Sequence, residues 1–239
     1  MRYAAFETST EWCSVALWLD GESAGLEEPA GNRHSMRLLP MLERVAAAAG
    51  ISLASLDGVA FGAGPGSFTG LRIACGAAQG IAYARDLPVL GISTLEALAE
   101  ESRARRVLAC LDARMHEVYY SAFERTDGKP DGRWRAVIPA TCAAPGAVRV
   151  PAGDGWIGCG SGFAMYGAMG LGSVIPGLHP SAMAVARLAA PRFALGEGVD
   201  AALALPDYVR DRVALTEAER EAAQDAEQGT ERAGGMGAR

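Results

Sequence analysis

Histidine is scarce in this sequence. Three occur in 239 residues, His34, His116 and His179, and none has another histidine or a cysteine at metal-ligand spacing. The sequence therefore spells no zinc-type site. Its five cysteines (Cys13, Cys75, Cys110, Cys142, Cys159) are odd in number, scattered and without a CxxC pair. Such spacing suits reduced thiols and a cytoplasmic setting better than a disulfide framework. Excess positive charge is lacking too: 22 Lys and Arg stand against 28 Asp and Glu, a net charge of −6. Residues 216–239 hold six acids and three arginines, so their −3 leaves −3 for the rest, and no basic footprint for nucleic acid is visible. No apolar run reaches membrane-spanning length, and Glu7 and Glu11 stand where a signal peptide would be uninterrupted.

What is present is a chain with 50% hydrophobic residues, enough for a real core and for two lobes of ordinary size. It is organised around VAFGAGPGSFTGLRIACGAAQGIAYA, Val59 to Ala84, where a strand, a glycine loop and a long helix follow without a break. Ser67 or Thr69 can cap the helix, whose pattern runs from Leu71 to about Ala84. A helix N-terminus reached through glycines is a natural anion cradle. The spelling is not that of a known phosphate motif, however. Gly66 is followed by Ser67 and Phe68 where a P-loop needs Lys and Ser or Thr, and GxGxxG fails from Gly62 and from Gly64. A nucleophile elbow at Ser67 would need glycine at Pro65 and Thr69. Two readings stay open, an anion site and a tight turn that seats a helix on a sheet.

The helix is unusual in its small residues. Gly76 and Gly80 lie one turn apart on one face, and each interior glycine costs about 1 kcal/mol relative to alanine. A second backbone approaching that face, from within the chain or from another, would offset the cost.

Along the chain, RYAAF (2–6) and CSVALWLDG (13–21) read as paired strands around ETSTEW, and Glu7 stands at the strand end where a nucleotide-handling hairpin would place a metal or phosphate contact. The bland alternative is a solvated strand end. Asn32 to Gly50 reads as a helix with Leu38, Leu42 and Val45 on one face and Pro40 in its opening part. A capping box at Ser93 or Thr94 with Glu96 opens the helix that closes a first lobe, residues 1–104. At Arg106 the strand, acidic turn, strand pattern restarts through Asp112 and ends in Asp127 and Gly128, which points to an internal duplication and a second lobe, 105–215. Trp134–Thr141 adds a strand, Gly158, Gly160 and Gly162 form a further glycine loop before a helix, and another helix follows Pro180 with Pro191 ending or kinking it. PDYVRD has extended character, and residues 216–239 read as a frayed helix and disordered tail.

Taken together, the ETST turn, HSMRLLP, GPGSFTGLRI, DARMHEVY (112–119) and PDYVR resemble the TsaB family, bacterial proteins of threonylcarbamoyladenosine biosynthesis on tRNA. The resemblance runs from residue 1 to about 212. It implies an α/β fold of two actin-like (ASKHA) lobes, each a mixed sheet that starts with an antiparallel hairpin and is flanked by helices. It also implies a cytoplasmic, non-catalytic scaffold that binds and activates TsaD, works with TsaE, and pairs with itself when alone. On that reading ATP or ADP and metal belong to TsaD, and this chain has no cofactor, metal or catalytic residue of its own. The alternatives are a small ATPase or kinase of the same fold and a glycoprotease-like hydrolase. The HxxxH pair of catalytic relatives is missing, and Glu7 with Thr8, and Asp112 with Ala113, lack the glycines of phosphate hairpins. Glu7, Thr8, Asp112 and Gly160 are then a vestigial nucleotide site. The partner interface is expected at Arg33, His34, Leu38, Leu42 and Val45 on the first helix and Arg72, Gly76, Gly80 and Tyr83 on the second.

Overall fold

A computed structural model of the chain describes residues 1–126 and 134–210. Residues Met1–Val209 form one compact unit. The expected tail, 216–239, and the turn residues Asp127 and Gly128 lie outside the described residues.

Two five-stranded sheets carry the fold. The first contains β1 (Arg2–Glu7), β2 (Trp12–Leu19), β3 (Glu22–Pro29), β4 (Gly58–Gly64) and β5 (Val89–Ser93), in the order β3-β2-β1-β4-β5. The second contains β6 (Arg106–Asp112), β7 (Val118–Arg125), β8 (Trp134–Ala143), β9 (Trp156–Cys159) and β10 (Val174–Ile175), in the order β10-β9-β6-β7-β8. Strand for strand these are one topology used twice. Each sheet opens with antiparallel pairs (β1 with β2, β2 with β3; β6 with β7, β7 with β8) and continues in parallel (β1 with β4, β4 with β5; β6 with β9, β9 with β10). The chain is thus an α/β fold with two mixed sheets of one topology, each starting with an antiparallel hairpin as the resemblance implies.

The helices repeat less faithfully. α1 (His34–Ala48) follows β3, whereas only a short 3₁₀ turn at Pro145–Ala147 follows β8. α2 (Phe68–Tyr83) and the short α4 (Ser161–Tyr166) take equivalent places after β4 and β9. α3 (Thr94–Ser102) and α5 (Ala182–Ala194) follow the last strand of each sheet. Alternation along β1 divides the core in two. Ala4 and Phe6 face a layer with Leu38, Met41, Leu42, Ala74 and Ala78 of α1 and α2. Tyr3 and Ala5 face a layer with Leu95 and Leu98 of α3 and Val185 and Ala189 of α5, which also reaches Val107, Ala109 and Leu111 of β6.

Three sequence expectations change here. The segment assigned to the second lobe does not stay there: α5 packs against β1, β2 and β4 of the first sheet, and Val199 bridges Val89 of β5. α5 also continues through Pro191 to Ala194. β3 was not expected, because most of its exposed positions are acidic or small (Glu22, Ala24, Gly25, Glu27) and it forms the edge of the sheet, where charge guards against further pairing.

Candidate functional site

Four of the five sequence motifs meet at one end of the first sheet. β1 ends in Glu7, and the turn Thr8–Glu11 folds over the glycine loop after β4. The Ser9 carbonyl accepts from Ser67 N–H at 2.8 Å, and Thr8 Oγ1 donates to the Gly70 carbonyl at 2.7 Å. Ser67 caps α2, its Oγ accepting from Gly70 N–H at 3.3 Å. Pro206–Val209 crosses the same loop, with Asp207 N–H donating to the Ala63 carbonyl at 2.7 Å. This segment is extended but joins no sheet. Arg72 stacks over Phe68 at 3.8 Å and donates from Nε to Tyr208 Oη at 3.0 Å. His34 Nε2 lies 3.3 Å from the Trp12 carbonyl, and His179 stacks on the Trp12 ring at 4.3 Å.

This packing explains the glycines. A Cβ at Gly62 would collide with the Glu7 carboxyl, at Gly64 with the Asp207 carbonyl, at Gly66 with Ser9 and at Gly70 with the Thr8 carbonyl. The loop is small-residued because this chain's own backbone and one of its carboxyls occupy the space in front of it. The second loop follows suit: a Cβ at Gly160 would meet the Cys110 carbonyl, and one at Gly162 the Cys110 Sγ. The chain's own atoms fill the space in front of these glycines, so the glycines do not open a phosphate cradle. Of the two readings open from sequence, the seated turn is the one the structure has.

The strand-end acids differ from expectation as well. Glu7 is neither solvated nor a free ligand; it is 1% exposed, its Oε1 accepting from Ser9 N–H at 2.7 Å and its Oε2 lying 3.5 Å from Thr94 Oγ1. No cationic side chain among the described residues pairs with it. Burial pushes its carboxyl above the ordinary carboxylate value, against the hydrogen bonds from Ser9 and Thr94. The folded state then binds the proton more tightly than the unfolded chain does. Stability is greatest below the ordinary carboxylate value and falls as pH rises from there through the raised one. Glu7→Gln keeps an acceptor for Ser9 and removes the ionisation, so its melting temperature should exceed wild type at pH 8 and converge with it as the pH falls to the ordinary carboxylate value. Equal pH profiles for the two proteins in a thermal-shift series would refute this. Asp112, by contrast, ties down its own turn: Oδ1 accepts from Arg114 N–H at 3.0 Å and from Tyr166 Oη at 3.2 Å. Arg114, Met115 and His116 there all have left-handed φ.

Buried thiols do not supply a nucleophile. Burial pushes Cys13 and Cys110 up to about 12 and raises Cys75 and Cys159 too. Among the described residues no three His, Cys, Asp or Glu side chains stand together to hold a metal ion, and no helix is long and apolar enough to cross a membrane.

The second expected site, the face of α1 and α2, divides. Leu38, Leu42 and Val45 are core, packed with Met41 against β2, and His34 is buried as well. They cannot face a partner: the helix has one broad apolar stripe, and the sheet uses it. The exposed side of α1 instead carries Arg33, Met36, Leu39 and Pro40. On α2, which lies beside α1, Arg72, Gly76, Gly80 and Tyr83 are exposed, and a Cβ at Gly76 or Gly80 would meet nothing within 4 Å. Met36 is 72% and Tyr83 80% exposed, and Leu203 and Leu205 project beside α2 from the segment that follows α5. Sequence reasoning missed Met36 and Leu39, although they sit out of phase with the core stripe. Large apolar side chains exposed on neighbouring elements are a feature of interaction surfaces.

The chain is similar to known proteins. Over residues 28–133 the chain matches the family model described as TsaD: tRNA N6-adenosine threonylcarbamoyltransferase. It is 37% identical over 226 residues to the tRNA threonylcarbamoyladenosine biosynthesis protein TsaB of Escherichia coli, spanning 90% of this chain and 96% of that protein. The chain belongs to the TsaB family. The TsaB of Haemophilus influenzae is 42% identical over 171 residues, 68% of this chain and 72% of that protein. YeaZ from Pseudomonas aeruginosa superposes with a TM-score of 0.81 at 39% identity, covering 87% of this chain and 99% of that one. A second solved P. aeruginosa chain, described as similar to peptidase YEAZ, gives 0.82 at the same identity. TsaB membership gives the chain its role in forming threonylcarbamoyladenosine on tRNA.

Proposed function

We propose that this TsaB-family chain is a non-catalytic cytoplasmic subunit that docks a TsaD-type threonylcarbamoyltransferase on the exposed face of α1 and α2, with TsaE as a further member of the assembly. The observation that carries the reading is the contrast between its two sets of glycines. Those of the loops, Gly62, Gly64, Gly66, Gly70, Gly160 and Gly162, are filled by the chain's own atoms, while Gly76 and Gly80 face open space on an apolar helix. ATP, ADP and metal then belong to the partner. Pairing of two copies through the same face is the expected state in its absence. An ATPase or kinase would need phosphates where the Glu7 carboxyl and the Asp207 carbonyl lie, and a hydrolase would need an activated nucleophile, which the raised thiols do not provide.

Copurification with TsaD and an ATP turnover assay test this together. The expected result is a stable complex, with ATP hydrolysis at background for the isolated chain. Steady hydrolysis by the isolated chain, lost in Glu7→Ala or Asp112→Ala, would overturn it, as would failure to bind TsaD.

A further inference from the structure

The α2 face does not end at Tyr83. A cavity of about 330 Å³ opens beside it, lined by Ala82, Tyr83, Asp86, Leu87, Pro88 and the segment Gly198–Ala201. Its two sides are held together by paired backbone bonds: Val89 N–H donates to the Val199 carbonyl at 2.8 Å, and Val199 N–H donates to the Val89 carbonyl at 2.9 Å. Gly198 also lies so close to Pro88 that a Cβ there would crowd it at 2.6 Å. The cavity is therefore part of the folded scaffold.

Its chemistry is that of a receptor for one kind of side chain. Leu87, Pro88 and Val199 offer apolar wall, Tyr83 an exposed aromatic ring, and Asp86 and Asp200 two carboxylates. Neither aspartate has an ion pair among the described residues; Asp200 only caps its own turn, Oδ1 accepting from Ala202 N–H at 2.7 Å. α2 ends here with no basic residue in its last turn, so the negative end of its dipole adds to theirs. The neighbouring cation is spoken for, Arg85 Nη1 donating to the Leu53 carbonyl at 3.1 Å. Apolar walls for an alkyl stem, an aromatic face and unpaired carboxylates together fit a lysine or arginine side chain.

We infer that the cavity between the C-terminal end of α2 and Gly198–Ala201 receives a basic side chain of the protein that docks on the α2 face, and so fixes the register of that docking. This rests on the proposed docking face, because Tyr83 belongs to both. The test uses the full chain and TsaD, with dissociation constants measured by titration calorimetry over a series of NaCl concentrations. The double variant Asp86→Asn with Asp200→Asn keeps both acceptors and removes both charges. It should bind about tenfold more weakly and with a shallower dependence on salt, with no change in melting temperature. Asp86→Lys should weaken binding further. Gly76→Leu separates the two ideas. If it abolishes binding while the double Asn variant binds as wild type with the same salt dependence, the cavity inference is wrong and the docking face stands. If Gly76→Leu also binds normally, the docking face is wrong and the cavity inference falls with it.

Discussion

Gly76→Leu, or Gly80→Leu, is expected to leave the isolated chain at least as stable as wild type while weakening its binding to TsaD, and its self-association, by roughly 100-fold or more. Both glycines lie inside α2 with nothing within 4 Å of the position a Cβ would take. Leucine there replaces a poor helix former by a good one at an exposed site, a gain of about 0.5–1 kcal/mol. For a chain of this size that raises the melting temperature by about 1–4 °C. The same side chain would stand where a partner's helix must come close. Sedimentation and copurification read the association, and a thermal melt reads the fold. Loss of stability would mean that the face is buried in some state of the monomer. Wild-type affinity in a folded variant would remove α2 from the interface.

Nearly two turns earlier on the same helix the opposite sign holds. Gly70→Ala is favourable by helix propensity alone, yet its Cβ would be driven into the Thr8 carbonyl, which is backbone and held by the turn. The gain of about 1 kcal/mol from propensity is overrun by a clash that costs about 1–3 kcal/mol or more. Gly62→Ala should destabilise too, since its methyl would displace the buried Glu7 carboxyl from the space it fills. Expected melting temperatures therefore place Gly76→Ala above wild type, and wild type above both Gly70→Ala and Gly62→Ala. If Gly70→Ala proves neutral, the ETST turn does not rest on the loop as described.

The duplication was legible because its signal is chemical and local: RYAAFE and RVLACLD are apolar strands that each end in an acid before a polar turn. The capping serines were legible for the same reason, with Ser67 and Ser93 both accepting from an N–H of the first helical turn. Other features depend on what lies opposite in space. Nothing local to GAGPGSFTG distinguishes a loop opened for a phosphate from one opened for Thr8, Ser9 and Asp207, residues far away in the chain. Likewise the stripe of Leu38, Leu42 and Val45 marks a buried face without saying against what; the sheet took it, and the outward apolar pair Met36 and Leu39 was the better guide to an exposed surface. Arg72, Gly76, Gly80 and Tyr83 are exposed as the sequence reading needed, because α2 seats itself with Leu71, Ala74, Cys75 and Ala78 instead.

The return of α5 to the first sheet also has a consequence for the order in which the molecule can be made. Tyr3, Ala5 and Ala16 of the opening hairpin are covered by Val185, Ala189 and Phe193, and Gly64 by Asp207. A nascent chain leaving the ribosome thus carries a first sheet with one face covered only by α3 until nearly all of the described chain has been synthesised. Its earliest strands must wait for its latest helix, and the chain cannot complete its folding one lobe at a time.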